Sequence, residues 1–478
     1  MKISKKLNLN KTQFELDFVD IDVDTDMPLF IDSNLIRKYD NEFNAKFVNT
    51  MDSFFTYLIN TLSSGLYEKA KYLCSHLSEI NETHLGLSKG ISQGKGVGPI
   101  SAIKIFEGLK GSQAIKDGVL KNIEDLRVLV HGFDKDMLSD MLTNILKKHL
   151  LEYTITQCQL HNIPLTQDVP SGYFWSEKTF QWKNEYMSRL VVDNKPILLI
   201  PKKIVNYCVE GSSGKYRQYF VLNYLQDENI KNRTILVQQR KKTKELFVTK
   251  KDIIKSEPTM DKDYLSNFTL KHPEILEKFK NDTLKKSKPM EGNILDSINI
   301  NDICNILSSE LIKIPYGTEN ASDFHNLMIG IFELLLYPSL INPKKEAEIN
   351  EGRKRIDICF TNDSENGFFT YVPDKVNIPC PLVFIECKNY SGDVKNPELD
   401  QLIGRFSTRR GRLGILSCRK IDKEKLFLTR CADTFKDDNG LIIPITDDDI
   451  QRCLKCGENC TKELENILYE KSQIIIKG

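Results

Sequence analysis

Apolar and polar residues recur along this chain at two different periods. Near the start, Phe14, Leu16, Phe18, Ile21 and Val23 are interleaved with Glu15, Asp17, Asp20, Asp22 and Asp24. A period of two predicts an exposed strand there. From Ala45 to Leu62, and again from Leu138 to Leu151, apolar residues return every three or four positions, which predicts helices. Pro196-Ile197-Leu198-Leu199-Ile200-Pro201 is an apolar run closed by prolines and reads as a strand. Trp175 and Trp182 stand seven apart, a spacing that fits one helical face packed into a core.

Beyond residue 295 helix and strand patterns alternate. Asp323 to Leu336 has Phe324, Leu327, Met328, Ile331, Leu334 and Leu335 at helical spacing, with Asp323 placed to cap it. A strand is predicted from Glu348 to Phe360, after a turn at Gly352, and a hairpin arm from Gly367 to Val372. Leu382 to Lys388 is a strand, Leu399 to Phe406 a helix, and Gly414 to Cys418 and Leu441 to Ile445 are further strands. Asp447-Asp448-Asp449 opens a last helix.

These patterns predict an α+β chain with several domains. Residues 1–165 form a mainly helical region. Residues 166–280 form an α/β or β-containing segment that either stands alone or joins the first. Residues 281–294, with Lys285, Lys286, Lys288 and Pro289, read as a linker. Residues 295–478 form an α/β domain with a central mixed sheet flanked by helices.

Composition narrows the function. The chain has 67 Lys and Arg against 66 Asp and Glu, a net charge of +1, so any nucleic acid must bind through local basic patches. No apolar run approaches the ~20 residues of a membrane span. Met1 to Lys6 lacks the apolar stretch of a signal peptide. Twelve Cys without a regular framework read as reduced thiols, so a cytoplasmic location without a membrane partner is expected.

The candidate chemistry lies in Arg355-Ile356-Asp357-Ile358 and Ile385-Glu386-Cys387-Lys388. On a strand, Glu386 and Lys388 share a face and Cys387 points the other way. Setting both charges at the end of an apolar strand costs desolvation unless something pairs with them. A lone Glu-X-Lys is most simply a structural ion pair. An Asp, a Glu and a Lys at one sheet edge also suit a divalent metal held beside a phosphodiester.

In this order of elements the region resembles the PD-(D/E)XK nuclease superfamily, the restriction-endonuclease-like fold. Asp357 matches the motif's Asp, with Ile356 where the usual Pro stands, and Glu386-Cys387-Lys388 matches its (D/E)-X-K. Glu333 matches an acidic residue on the first helix. Gln401 matches a Gln that follows the motif in Mrr-type restriction enzymes, and Gly404 and the strand at Gly414 follow that pattern too. The resemblance covers about a third of the chain. It implies a Mg²⁺- or Mn²⁺-dependent hydrolase with Asp357, Glu386, Lys388, Glu333 and Gln401 as site residues. Asp357, Glu386 and the Cys387 carbonyl would supply oxygen ligands. The metal would lower the pKa of a bound water and neutralise phosphate charge. Lys388 would position that water or stabilise developing charge, and Glu333 would orient Lys388 or join a second metal.

Further signals are weaker. Arg405, Arg409, Arg410 and Arg412 form a basic cluster expected to meet DNA phosphates near the metal edge; a solvated loop is the plainer reading. Gly94-Lys95-Gly96-Val97-Gly98-Pro99 is similar to a helix-hairpin-helix turn, in which Lys95, Gly96 and Gly98 would grip a DNA phosphate; a plain loop-to-helix junction is the alternative. Cys453, Cys456 and Cys460, with Cys304 as a fourth, have the look of a metal cluster but continue a helical pattern. His325 reads as a partly buried helix residue.

The expected function is a DNA endonuclease acting as a bacterial restriction or anti-phage effector. Its partners would be DNA, proteins of the same operon, and further copies of the chain. A repair or transposition-associated nuclease is the first rival. A non-catalytic module that binds nucleic acid or protein on the same fold is the second.

Overall fold

A computed structural model describes residues 1–86, 98–290, 299–345 and 358–478, with the side chains of 98–101 left out of the description. No described helix is long and apolar enough to cross a membrane. The chain is mixed α and β, with two hydrophobic cores.

The first core runs from Ile3 to Met290 and unites the first two predicted regions. Helix α1 (Glu42–Ser63) is capped by Asn41, whose side chain accepts the Asn44 N–H, and it buries Phe47, Met51, Phe54, Phe55 and Leu58. Helix α2 spans Gly98–Gly111. Helix α3 (Lys135–Leu160) is capped by Asp134 and contains neither Gly nor Pro over 26 residues. Strands β1 (Phe174–Ser176) and β2 (Gln181–Lys183) form a hairpin that packs on α3. Helix α4 (Pro273–Lys286) closes the unit.

Several expectations change here. Trp175 and Trp182 lie on facing strands rather than on a helix, directly paired, with ring centroids 5.8 Å apart. Residues 14–24 are not an exposed strand: Phe18, Val19 and Ile21 are fully buried, and so are Asp17 and Asp20. Buried acids need donors. Asp20 accepts from the Ser4 N–H and hydroxyl, and Asp17 from the Tyr153 hydroxyl at 2.7 Å. Ile197–Ile200 is buried but joins no ladder; its N–H groups reach Leu190 O, Glu82 O and Thr154 Oγ1 instead. The predicted linker is structured at its start. Residues 281–286 complete α4, and Met290 is buried in the first core; residues 291–298 lie outside the described residues.

The second core holds the sheet. In chain order come α5 (Ile300–Lys313), α6 (Ala321–Leu336), β3 (Leu340–Lys344), β4 (Ile358–Asn362), α7 (Phe368–Lys375) and β5 (Leu382–Lys388). Then follow α8 (Asn396–Ile403), β6 (Leu413–Cys418), α9 (Glu424–Lys436), β7 (Leu441–Thr446), α10 (Asp447–Lys455) and α11 (Cys460–Lys477). Asp323 falls in the first turn of α6, and Asn320 is its N-cap. The expected hairpin arm at 367–372 is instead the start of α7. Gly367 enters it at φ +80°, where an added Cβ would strike the Glu465 carboxylate, and Phe368, Phe369 and Val372 fill the core.

The five strands lie in chain order, β3-β4-β5-β6-β7. The first two pairs are antiparallel, while β5, β6 and β7 run parallel. This is the mixed sheet that the pattern predicted. Parallel strands need crossover helices, here α8 and α9. Segments that follow a strand therefore gather at the sheet's carboxyl edge. Segments that leave a helix for the next strand gather at the opposite edge.

Candidate active site at the carboxyl edge of the sheet

Three of the predicted residues converge where β5 ends. Lys388 Nζ lies 2.7 Å from Glu386 Oε1 and donates to Gln401 Oε1 at 2.9 Å. The strand's period of two puts both charges on one face, and α8 crosses that face so that Gln401 meets the ammonium. Gly414 lets the Phe406 ring, just after α8, lie against the sheet: an added Cβ there would come within 2.9 Å of it. Glu386 is 2% exposed. Tyr390 borders the Lys388 ammonium at 5.9 Å. Cys387 takes the other face and pairs with Ser417 in the ladder to β6. Asp357 lies outside the described residues; β4 begins at Ile358, opposite Ile385 and next to Glu386.

A polar brace missed from sequence holds this edge. Asn389 donates to Pro315 O and Gly317 O, and its own oxygen accepts from Arg419 at 3.0 Å. Arg419 also binds Asp447 at 2.6 Å. Burial raises the Asp447 carboxyl to about 6, against the pull of Arg419. Asn389 follows β5, Arg419 follows β6 and Asp447 follows β7, so the signal was their shared position after parallel strands.

Glu333 belongs to another cluster. It is 1% exposed on α6, and its carboxylate lies 3.6 Å from Lys202 of the first core. Asp17 sits nearby, accepting from the Asn342 N–H on β3 at 3.1 Å. Burial, and then the Asp17 charge, raise the Glu333 carboxyl to about 8. Lys203 makes a second such contact, 3.0 Å from Asp363. Glu333 therefore joins the two cores, and the cation it faces is Lys202 and not Lys388.

The arginine cluster also lies elsewhere than expected. Residues 405–412 leave α8 for β6, so they run toward the amino edge: the Arg410 carbonyl accepts from Leu382 N–H at the start of β5. Six residues of strand, about 20 Å, separate Leu382 from Lys388. Arg405 is buried, Arg410 lies 5.3 Å over Phe384, and Arg412 pairs with Asp438 at 3.0 Å. Arg409 is exposed. The four do not form one basic face beside Lys388.

Gly98 begins α2, while Lys95 and Gly96 lie outside the described residues. Cys453 and Cys460 are buried, Cys456 is exposed and bonds the Arg452 carbonyl, and Cys304 lies against Cys460. The described residues bring no three of these thiols together as ligands. His325 is half-buried on α6. A hard cation such as Mg²⁺ takes about six oxygens. Among the described residues, this edge offers the Glu386 carboxylate as an acidic oxygen donor.

Residues 8–209 match a domain of unknown function, DUF8370, whose described buried residues belong mostly to the first core. No curated protein and no solved structure matches the chain.

Proposed function

We propose that the chain is a metal-dependent nuclease whose site is the Glu386–Lys388–Gln401 edge. The observation that carries this reading is the position of Lys388: an ammonium held between a buried carboxylate and an amide, where the parallel strands end. Glu386 and Gln401 keep that ammonium aimed along the edge. There it can hold a water for attack and balance charge that develops on a phosphate. A divalent cation on Asp357, Glu386 and the Cys387 carbonyl would activate that water and neutralise phosphate charge. DNA is the proposed substrate, and restriction or anti-phage defence the proposed setting, the latter by analogy of domain architecture.

Plasmid DNA incubated with purified protein and Mg²⁺ tests the reading. Nicking or cleavage is expected, lost in Asp357→Ala, Glu386→Ala and Lys388→Ala, with DNA binding retained. Absence of cleavage under any divalent metal leaves Glu386 and Lys388 as a structural ion pair on a non-catalytic fold.

A further inference from the structure

A cavity of about 160 Å³ opens at the same carboxyl edge, between the segment that follows β5 and the one that follows β6. Its floor is apolar, made by Val394, Ile421 and Phe427. Lys395, Lys423 and Arg430 stand around it. Among the described residues no carboxylate pairs with any of these three cations. The nearby acids are already engaged. Glu398 accepts from the Lys395 backbone N–H, Glu424 pairs with Lys471 at 3.1 Å, and Asp393, also on the wall, accepts from the Asp422 backbone N–H. The lining itself carries three cations against one acid, a local excess of positive charge.

Its place matters as much as its charge. Lys395 precedes Gln401 by six residues at the start of α8, about 9 Å along a helix axis. Helix α8 thus links Lys395 on the cavity wall to Gln401, which meets the Lys388 ammonium. At about 160 Å³ it is smaller than the ~300–1,000 Å³ of pockets that enclose a whole ligand. It has room for a phosphate with part of its sugar, the apolar floor meeting the sugar and the cations meeting the oxygens.

We infer that this cavity is a subsite for a backbone phosphate of a nucleic-acid strand, next to the scissile position. The inference rests on the nuclease reading for its substrate class, yet it is tested by binding alone. The site positions a strand without reading its sequence, as phosphate contacts do.

The test uses the full chain, a fluorescently labelled short single-stranded DNA and no divalent metal. The double variant Lys423→Ala/Arg430→Ala is expected to bind about tenfold more weakly. The slope of log affinity against log salt should flatten by roughly one to two. Charge reversal, Lys423→Glu/Arg430→Glu, should weaken binding further, while Lys425→Glu on the same helix but off the cavity should not. Inorganic phosphate, titrated as competitor, separates a free-phosphate site from a strand site: displacement at equal phosphate concentration would mark the former and overturn the inference. Unchanged affinity and slope in the double variant overturn it, and so does a chain that binds no oligonucleotide. Binding lost in the double variant by a chain that cuts nothing would keep the subsite and remove the nuclease reading. Cleavage by a chain whose double variant binds normally would do the reverse.

Discussion

Two glutamate–lysine pairs in this molecule have the same chemistry and opposite surroundings. Glu333 and Lys202 are 1% and 2% exposed, 3.6 Å apart, and come from different cores. Glu386 and Lys388 lie two residues apart on one strand, 2.7 Å from each other, with the lysine side chain 13% exposed at a sheet edge. The first pair has no route to solvent and ties the two halves of the chain together. The second ends where parallel strands open their loops, the usual place for a ligand in such sheets. A Glu and a Lys therefore do not define a site; the element that carries them and the edge it reaches do.

The comparison can be broken most forcefully at the junction. Lys202→Ala removes the cation beside a fully buried carboxylate. Above about pH 8, where Glu333 is ionised in the folded chain, it should lower stability by about 3–5 kcal/mol, read as an earlier first transition in thermal or denaturant unfolding. An unchanged transition would show that the junction does not depend on the pair. At the edge, Glu386→Ala should cost about 10²-fold or more in Mg²⁺-dependent cleavage, as loss of a group acting on developing charge does. A variant that still cleaves at the normal rate would remove Glu386 from the chemistry.

Acidity sharpens the contrast. Glu333 titrates in the folded chain at about 8, above its usual range near 4.5, because burial and Asp17 disfavour its charge. In the window between those values the folded chain holds a proton that the unfolded chain has lost. Stability from this group is thus complete below about 4.5 and falls as pH rises through about 8. Glu333→Gln should flatten that decline, measured as Tm against pH for both chains. Parallel Tm curves would contradict the assignment. The smallest effect is expected at Gln401. Gln401→Ala removes one bond to Lys388, about 0.5–1.5 kcal/mol, or about two- to tenfold in kcat/KM.

Much of the second core was legible because its strands are central. Val383, Phe384 and Ile385 are apolar on both faces of β5, so a plain run marked the strand, and Leu441–Ile445 did the same for β7. The Glu386–Lys388–Gln401 convergence was legible for a related reason: a period of two aligned the charges, and the next helix had to return over that face. Alternation misled at residues 14–24, where Asp20 and Asp17 point to Ser4 and Tyr153 rather than to water. Glu333 was misassigned because its partner, Lys202, comes from the other core, and no local pattern announces such a contact. Nearness in sequence to Gln401 misplaced the arginines; the direction of the chain between α8 and β6 carries them to the far edge. The same rule of direction, applied to the segments after β5 and β6, would have pointed to Lys395 and Lys423.

The division of labour between the two pairs is tested most directly by making Glu386→Gln and Glu333→Gln and recording both Mg²⁺-dependent plasmid cleavage and the pH dependence of Tm for each. The account predicts that Glu386→Gln loses cleavage and keeps the parent Tm profile, while Glu333→Gln keeps cleavage and flattens the profile. Loss of cleavage in Glu333→Gln with its Tm profile unchanged, or full cleavage in Glu386→Gln, would contradict it.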